Sequence, residues 1–279
     1  MAIVLALGAA AFYGAGDFVG GLASRRNEVL AVALGAQLAG LVLLALALPF
    51  LGPASVVPTD WVLGGLAGVF GGLGLVVVYR ALAAGPMSVV APTTALSASA
   101  VPVLAGLALG ERPGLAAVAG IGVSFAAVGL ITREGGGAVV SRRAAVRAVL
   151  PALGGGAIFG LFFVCLHHTG SDAGMWPLLA ARLTSVPLLA VLVAVRHRRV
   201  DVHPGVLVAV LASGALDMAA NILYLLASRG GMLAVVAAIT GLYPAATVVL
   251  AQTRLGERLA PVQVAGLAVA GLAAVMVAA

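Results

Sequence analysis

Asp17, Arg182 and Asp217 stand inside otherwise apolar runs of this chain, and their types suit the handling of ions or charged solutes. An ionisable side chain among apolar residues is costly to keep, so each marks a candidate site. Asp17 follows Tyr13, Gly14 and Gly16. Facing a cavity, it would bind a proton or a substrate amine; at a helix end, it would pair with Arg25 or Arg26. The sequence leaves both readings open. Asp217 is followed one turn later by Asn221, and residues at i and i+4 share a helix face. The two form one polar patch, read first as part of a cavity and second as a buried structural hydrogen-bond pair. A carboxyl group removed from water takes up a proton more readily, which suits coupling to a proton gradient. Arg182, in Ala180-Ala181-Arg182-Leu183-Thr184, must find a partner or reach the interface. An ion pair with Asp217 weighs above a role in binding a substrate carboxylate. Gln37 sits near the equivalent position in the first half. Tyr13 and Tyr243 are the better candidates for stacking on a solute; Tyr79, Tyr224, Phe159 and Trp176 are read first as packing or interfacial rings.

Other reactive residues fit chemistry less well. His167-His168 close an apolar run with no third His, Cys or acid at helical spacing, so interfacial placement beside Trp176 is expected over a metal site. Glu111 beside Arg112 and Glu257 beside Arg258 are read as local caps and salt bridges that turn the chain. No acid pair at metal-binding spacing and no Ser-His-acid set points to an enzyme. The glycines form no phosphate loop, since no Gly-Lys-Ser/Thr follows a strand. Cys165 is the only cysteine, which excludes a disulfide within the chain and a thiolate metal cluster. No cofactor is expected.

The elements that must position these residues follow from composition. Hydrophobic residues make up 63% of the 279 and charged residues 9%, with a mean hydropathy of +1.20. A soluble domain is about a quarter charged, so most of this chain belongs in a bilayer. The net charge of +6 comes from 15 basic residues, all Arg. They cluster at loops and helix ends, as in cytoplasmic loops near anionic lipid, and do not indicate nucleic-acid binding. Nothing alternates with period 2, so the spans are helices and the protein is an all-α integral membrane protein. A span needs roughly 20 apolar residues. Ten such runs are expected, near 2–22, 30–51, 61–82, 86–109, 114–132, 148–168, 174–195, 205–227, 231–252 and 259–278. The first carries no basic region before it, so a retained span is expected over a cleaved signal peptide. Pro92, Pro102 and Pro244 remove helical hydrogen bonds. The hydroxyls of Thr93, Thr94, Ser97, Ser99 and Thr240 could meet the freed carbonyls, and the kinked helices could act as gates. Gly64, Gly68 and Gly72 form a ladder that lets helices approach closely.

The runs fall into two copies. Leu109-Gly110-Glu111-Arg112 returns as Leu255-Gly256-Glu257-Arg258, 146 residues on. At the same offset Ala11-Phe12-Tyr13-Gly14 falls on Ala157-Ile158-Phe159-Gly160, and Gly120 on Gly266. Residues 1–134 form the first unit, 135–147 the linker and 148–279 the second unit. Five spans per copy is odd, so the second copy enters the membrane inverted, with a binding site between the halves near the midplane. Arg25 and Arg26 follow span 1, while Arg196, Arg198 and Arg199 follow span 7. This distribution places the odd-numbered loops in the cytoplasm and both termini outside. Asp17 falls on Phe163 and Asp217 on Gly71, so the acids break the repeat. That favours one asymmetric site over the repeated polar rings of a channel.

These features resemble the EamA type of the drug/metabolite transporter superfamily. The likeness rests on the two Gly-Glu-Arg phrases, on Leu242-Tyr243-Pro244 ahead of the second, and on Gly120 and Gly266 after them. The first copy departs from the pattern, since its proline is Pro102. The resemblance implies ten spans as two inverted five-helix repeats, and a secondary transporter that moves small metabolites outward. It implies a cavity lined by spans 1, 3, 4, 6, 8 and 9. Several relatives keep both termini cytoplasmic, opposite to what the Arg distribution says here. The expected partners are a small amino-acid-like or drug-like solute, the lipid bilayer and protons, with the chain a monomer or weak dimer. A multi-pass protein of a bacterial cell membrane working by alternating access is the leading reading. A channel or a non-transporting membrane component is the alternative.

Overall fold

A computed structural model describes residues 1–50, 54–85, 87–131, 142–196, 203–255 and 260–278. Every regular element among them is helical. The first half holds α1 (Ala2–Ser24), α2 (Val29–Ala47), α3 (Pro58–Ala84), α4 (Met87–Ala108) and α5 (Leu115–Ile131). The second holds α6 (Arg142–His167), α7 (Trp176–Val195), α8 (Pro204–Arg229), α9 (Leu233–Thr240), α10 (Pro244–Leu255) and α11 (Pro261–Ala278). Pro58 and Pro204 each open their helix, where the missing N–H has no helical partner to lose. α6 begins at Arg142, inside the stretch read from sequence as linker.

Among the described residues, eight stretches are long and apolar enough to cross a membrane, with α9 and α10 together forming one of them. The sequence reading expected ten. The other two, α5 and α11, contain shorter apolar runs, Leu115–Leu130 and Pro261–Met276. At 1.5 Å per residue, 17 residues of α5 reach roughly 25 Å, less than a typical hydrocarbon core. The side chains are distributed as in lipid: Val42, Leu46, Leu104 and Val208 are exposed, while Gln37, Arg182, Ser185 and Asn221 are buried.

The ninth run is not one continuous helix. Residues 241–243 turn between α9 and α10 just ahead of Pro244. The carbonyl that Pro244 cannot engage, Thr240 O, accepts the Tyr243 N–H at 3.1 Å. Two of the hydroxyls expected to cap such carbonyls act elsewhere. Thr94 donates to Val90 O at 2.9 Å and Ser97 to Thr94 O at 3.1 Å, while the Thr240 hydroxyl is buried with no partner among the described residues.

The first Gly-Glu-Arg phrase now has a physical account. Gly110 has φ +94°, the left-handed conformation that glycine adopts without a Cβ clash. Its N–H bonds to Leu107 O and that of Glu111 to Gly106 O, the paired bonds that terminate a helix in a Schellman motif. The turn directs Glu111 across the molecule. Its carboxylate accepts the N–H groups of Leu233 at 2.5 Å and Ala234 at 2.9 Å, at the start of α9. The local cap beside Arg112 expected from sequence is therefore replaced by a cap on the other repeat. A carboxylate there satisfies two free donors and meets the positive end of the helix dipole. Glu257 lies outside the described residues.

Packing between the halves follows the repeat. α1 packs on α8 as α6 packs on α3; α2 packs on α8 as α7 packs on α3; and α4 packs on α6 as α10 packs on α1. Exchanging the halves leaves this scheme unchanged, as about a two-fold axis. Individual contacts obey it. Gly14 lies against Thr247, and Gly160, 146 residues on, lies against Val101, 146 residues before Thr247. Gly16 meets Asp217 as Phe162 meets Gly71. The Gly64, Gly68 and Gly72 ladder faces Pro177, Ala181 and Ser185 of α7. A Cβ at Gly68 would collide with the Ala181 backbone, and one at Gly214 with that of Ala36.

Two outcomes test this packing. Gly68→Val should lower stability by about 2 kcal/mol through overpacking, read as a fall in the detergent unfolding midpoint. Gly122→Val, whose added Cβ meets nothing within 4 Å, should leave that midpoint within about 0.5 kcal/mol of wild type. Equal falls for both variants would argue against backbone approach as the reason for the ladder. Glu111→Ala should cost about 1 kcal/mol and speed hydrogen exchange at the Leu233 and Ala234 amides, while Arg112→Ala should do neither.

Candidate functional site

A cavity of about 360 Å³, counting its solvent-open mouth, lies between the two halves. Tyr13 and Asp17 enter it from α1, Val78 from α3, and Thr94 and Ala98 from α4. Phe159 and Phe163 enter from α6, Asp217 from α8 and Tyr243 from the turn before α10. Repeat mates share its lining: Tyr13 corresponds to Phe159, and Asp17 to Phe163. The cavity therefore sits on the axis relating the halves. The rings are held in place. Tyr13 meets Phe163 edge to face with centroids 5.7 Å apart, and Phe163 lies 4.3 Å from Tyr224. The Tyr243 hydroxyl donates to Ala91 O at 3.3 Å, tying the turn to α4.

A polar chain links this cavity to a second space of about 210 Å³, lined in part by Gln37, Phe162, Arg182, Ser185 and Asn221. Arg182 Nη2 lies 2.5 Å from Asp217 Oδ2. Asn221 Nδ2 donates to the same oxygen at 3.0 Å and to the Asp217 carbonyl at 2.7 Å. The Tyr13 hydroxyl donates to Asn221 Oδ1 at 2.8 Å. Arg182 also packs against Gly40, and Ser185 donates to Gln37 Oε1 at 3.4 Å, joining α2 to α7 where they cross. A further pair braces α1: Ser213 donates to Gly16 O at 3.2 Å, which leaves Tyr79 as the donor in its 2.6 Å contact with Ser213.

The sequence-derived candidates thus divide. Tyr13, Asp17, Asp217 and Tyr243 line the first cavity; Arg182 and Asn221 line the second and neutralise or orient Asp217. The Arg182–Asp217 ion pair is present, so this guanidinium is already engaged by a carboxylate. Asp17 is not at a helix-end pair: Arg25 is exposed and donates to Gly85 O at 3.4 Å. Among the described residues the Asp17 carboxylate has no hydrogen-bond or ion-pair partner. His167 lies 4.0 Å from Glu111, beside the α9 cap, away from the cavity. Trp176 packs on Trp61 at 5.9 Å, outside both spaces. Sequence reasoning did not single out Val78, Ala98 or Phe163 as lining residues. They carry no signal distinct from packing, although the repeat partner of Asp17 is Phe163.

The EamA-like transporter family model matches the chain twice, over residues 1–133 and 146–279. Among curated proteins, none matches. A solved structure titled only "Crystal structure of protein" superposes with a TM-score of 0.73 at 19% identity, covering 99% of this chain and 98% of that one. At this identity the likeness shows the fold.

The polar chain yields a stability test. Arg182→Gln strands a buried carboxylate and should cost roughly 3 kcal/mol. Adding Asp217→Asn should recover at least about 1 kcal/mol of that loss, since paired residues couple in a double-mutant cycle. Additive losses in detergent unfolding would show that the pair contributes nothing as a unit.

Proposed function

This chain belongs to the EamA-like transporter family, within the drug/metabolite transporter superfamily, and on that premise we propose that it is a secondary transporter of small metabolites. Its ten apolar stretches all cross the membrane, with α5 and α11 as short spans, in two inverted sets of five. It is a multi-pass protein of a bacterial plasma membrane. It exports amino-acid-like or drug-like solutes by alternating access, one half rocking against the other, with protons as the coupling ion.

The observation that carries this reading is the position of the first cavity. Both halves, repeat mates among them, contribute to its lining, so a rocking motion about the axis that relates the halves would expose it to each side in turn. Asp17, which has no partner among the described residues, provides a carboxyl group for proton uptake. Tyr13 connects the cavity wall to the Arg182–Asp217–Asn221 chain, so a bound solute that shifts Tyr13 would act on the contact between α7 and α8. The break at residues 241–243 gives the α9–α10 span a flexion point beside the cavity.

Counterflow in proteoliposomes with a labelled amino-acid and metabolite panel tests the proposal. Wild-type protein should exchange at least one compound saturably, and Asp217→Asn should reduce that exchange about tenfold or more. Single-channel currents with no saturable exchange would replace the transporter reading by the channel one. Unchanged exchange in Asp217→Asn would leave transport standing and confine Asp217 to structure.

A further inference from the structure

We propose that the solute is a small organic cation with an aromatic or apolar body, and that Asp17 is its counter-charge. This deepens the transporter reading and rests on it. The first cavity holds two carboxyl groups, Asp17 and Asp217, and among the described residues takes no cationic side chain into its lining. Arg182 neutralises Asp217 from the neighbouring space, where it lies beside Gly40 and Asn221. Asp17 is left as a carboxyl group facing the cavity with no partner among the described residues.

Among the described residues, the surroundings offer Asp17 no other cation. α1 packs on α8, α9, α10, α3, α2 and α4. From these, Asp217 and the hydroxyls of Tyr79 and Tyr243 are the titratable groups nearest to it, with Tyr13 on its own helix. Arg80 and Arg254 are exposed, and Arg229 is engaged at the far end of α8 by the carbonyls of Gly170 and Gly174. A carboxylate with no protein partner in an apolar space is neutralised most favourably by a proton or by a bound cation.

The rings decide which kind of cation. Tyr13, Phe159, Phe163 and Tyr243 line the same cavity, and aromatic faces attract ammonium groups, the more so when water is excluded. An inorganic cation would call for several oxygen ligands, whereas aromatic and aliphatic groups form most of this wall. An anion would meet carboxyl groups and no free guanidinium among the lining residues, since Arg182 is committed to Asp217. A free amino acid would carry an uncompensated carboxylate into the same field, so its affinity should fall below that of the matching amine.

Calorimetric binding to the purified full-length chain, with four probes that share a phenyl ring, tests this. The probes are benzyltrimethylammonium, phenylalanine, 3-phenylpropionate and 2-phenylethanol. Benzyltrimethylammonium should bind at least tenfold tighter than the other three. Asp17→Asn should abolish that preference and weaken the cation at least tenfold, with an unfolding midpoint no lower than wild type. Asp17→Glu should keep the preference. Equal or tighter binding of the anion, zwitterion or alcohol would overturn the proposal. So would unchanged cation affinity in Asp17→Asn, or no cation binding by folded wild-type protein. Counterflow of the same probes separates this inference from the one beneath it. Saturable phenylalanine exchange without cation binding would leave transport standing and reject the cation. Cation binding lost in Asp17→Asn, with no exchange of any probe, would keep the cation site and reject transport.

Discussion

Helices surrounded by lipid gain little by leaving it for one another, because no water is expelled when two apolar surfaces meet there. Their association depends on how closely the backbones approach and on the polar groups they share. This constraint accounts for the plan of the molecule. Gly14 against Thr247, Gly160 against Val101, Gly68 against Ala181 and Gly214 against Ala36 are contacts between the halves. α3, for example, packs mainly on α6 and α7 rather than on its own repeat. Neither half is a body that the other merely touches; each completes the packing of the other. A side chain larger than hydrogen at these points would separate both copies of the interface.

Against this symmetric scaffold, the polar residues are arranged asymmetrically. Close packing requires small residues in both copies, and the repeat keeps them. Charge in a membrane is expensive wherever it occurs, so it is kept in one copy only. Asp17 has Phe163 as its mate, Asp217 has Gly71, and Arg182 stands near the position of Gln37. The result is a cavity in which Asp17 and Asp217 share the lining with Tyr13, Tyr243, Phe159 and Phe163. A two-fold symmetric pore would have had to solve the desolvation of each charge twice. Here Arg182 and Asn221 stabilise Asp217 from behind, which leaves the cavity itself open for a solute.

The repeated Gly-Glu-Arg phrase shows how one short motif can serve both chain reversal and assembly. Gly110 ends α4 because only a left-handed residue closes the Schellman bonds there. The Glu that follows then supplies acceptors to α9 of the opposite half. α9 has only eight residues, too few to be stable alone, so its start depends on this carboxylate and its end on the turn into α10. The helix that leads into the Tyr243 turn is thus anchored by a residue of the other repeat.

Periodicity and composition alone determined a membrane protein of apolar helices in two copies, and the placement of Asp17, Asp217 and Arg182 within those helices. These properties are local or repeat at a fixed offset, so a linear chain displays them. The Arg182–Asp217 pairing could be anticipated, because two opposite charges in an apolar interior have few alternatives. Other features lay beyond the sequence. Whether Asp17 faced a cavity or met Arg25 depended on where α2 and α3 placed the loop residues. Glu111 has a neighbour of opposite charge in sequence, but its partners are backbone N–H groups 122 and 123 residues away. The division of Arg182 and Asn221 from Tyr13 and Tyr243 into separate spaces depended on how α2, α3 and α7 cross. Only the tertiary structure settles such matters, because burial and hydrogen bonding are decided by elements distant in sequence that meet in space.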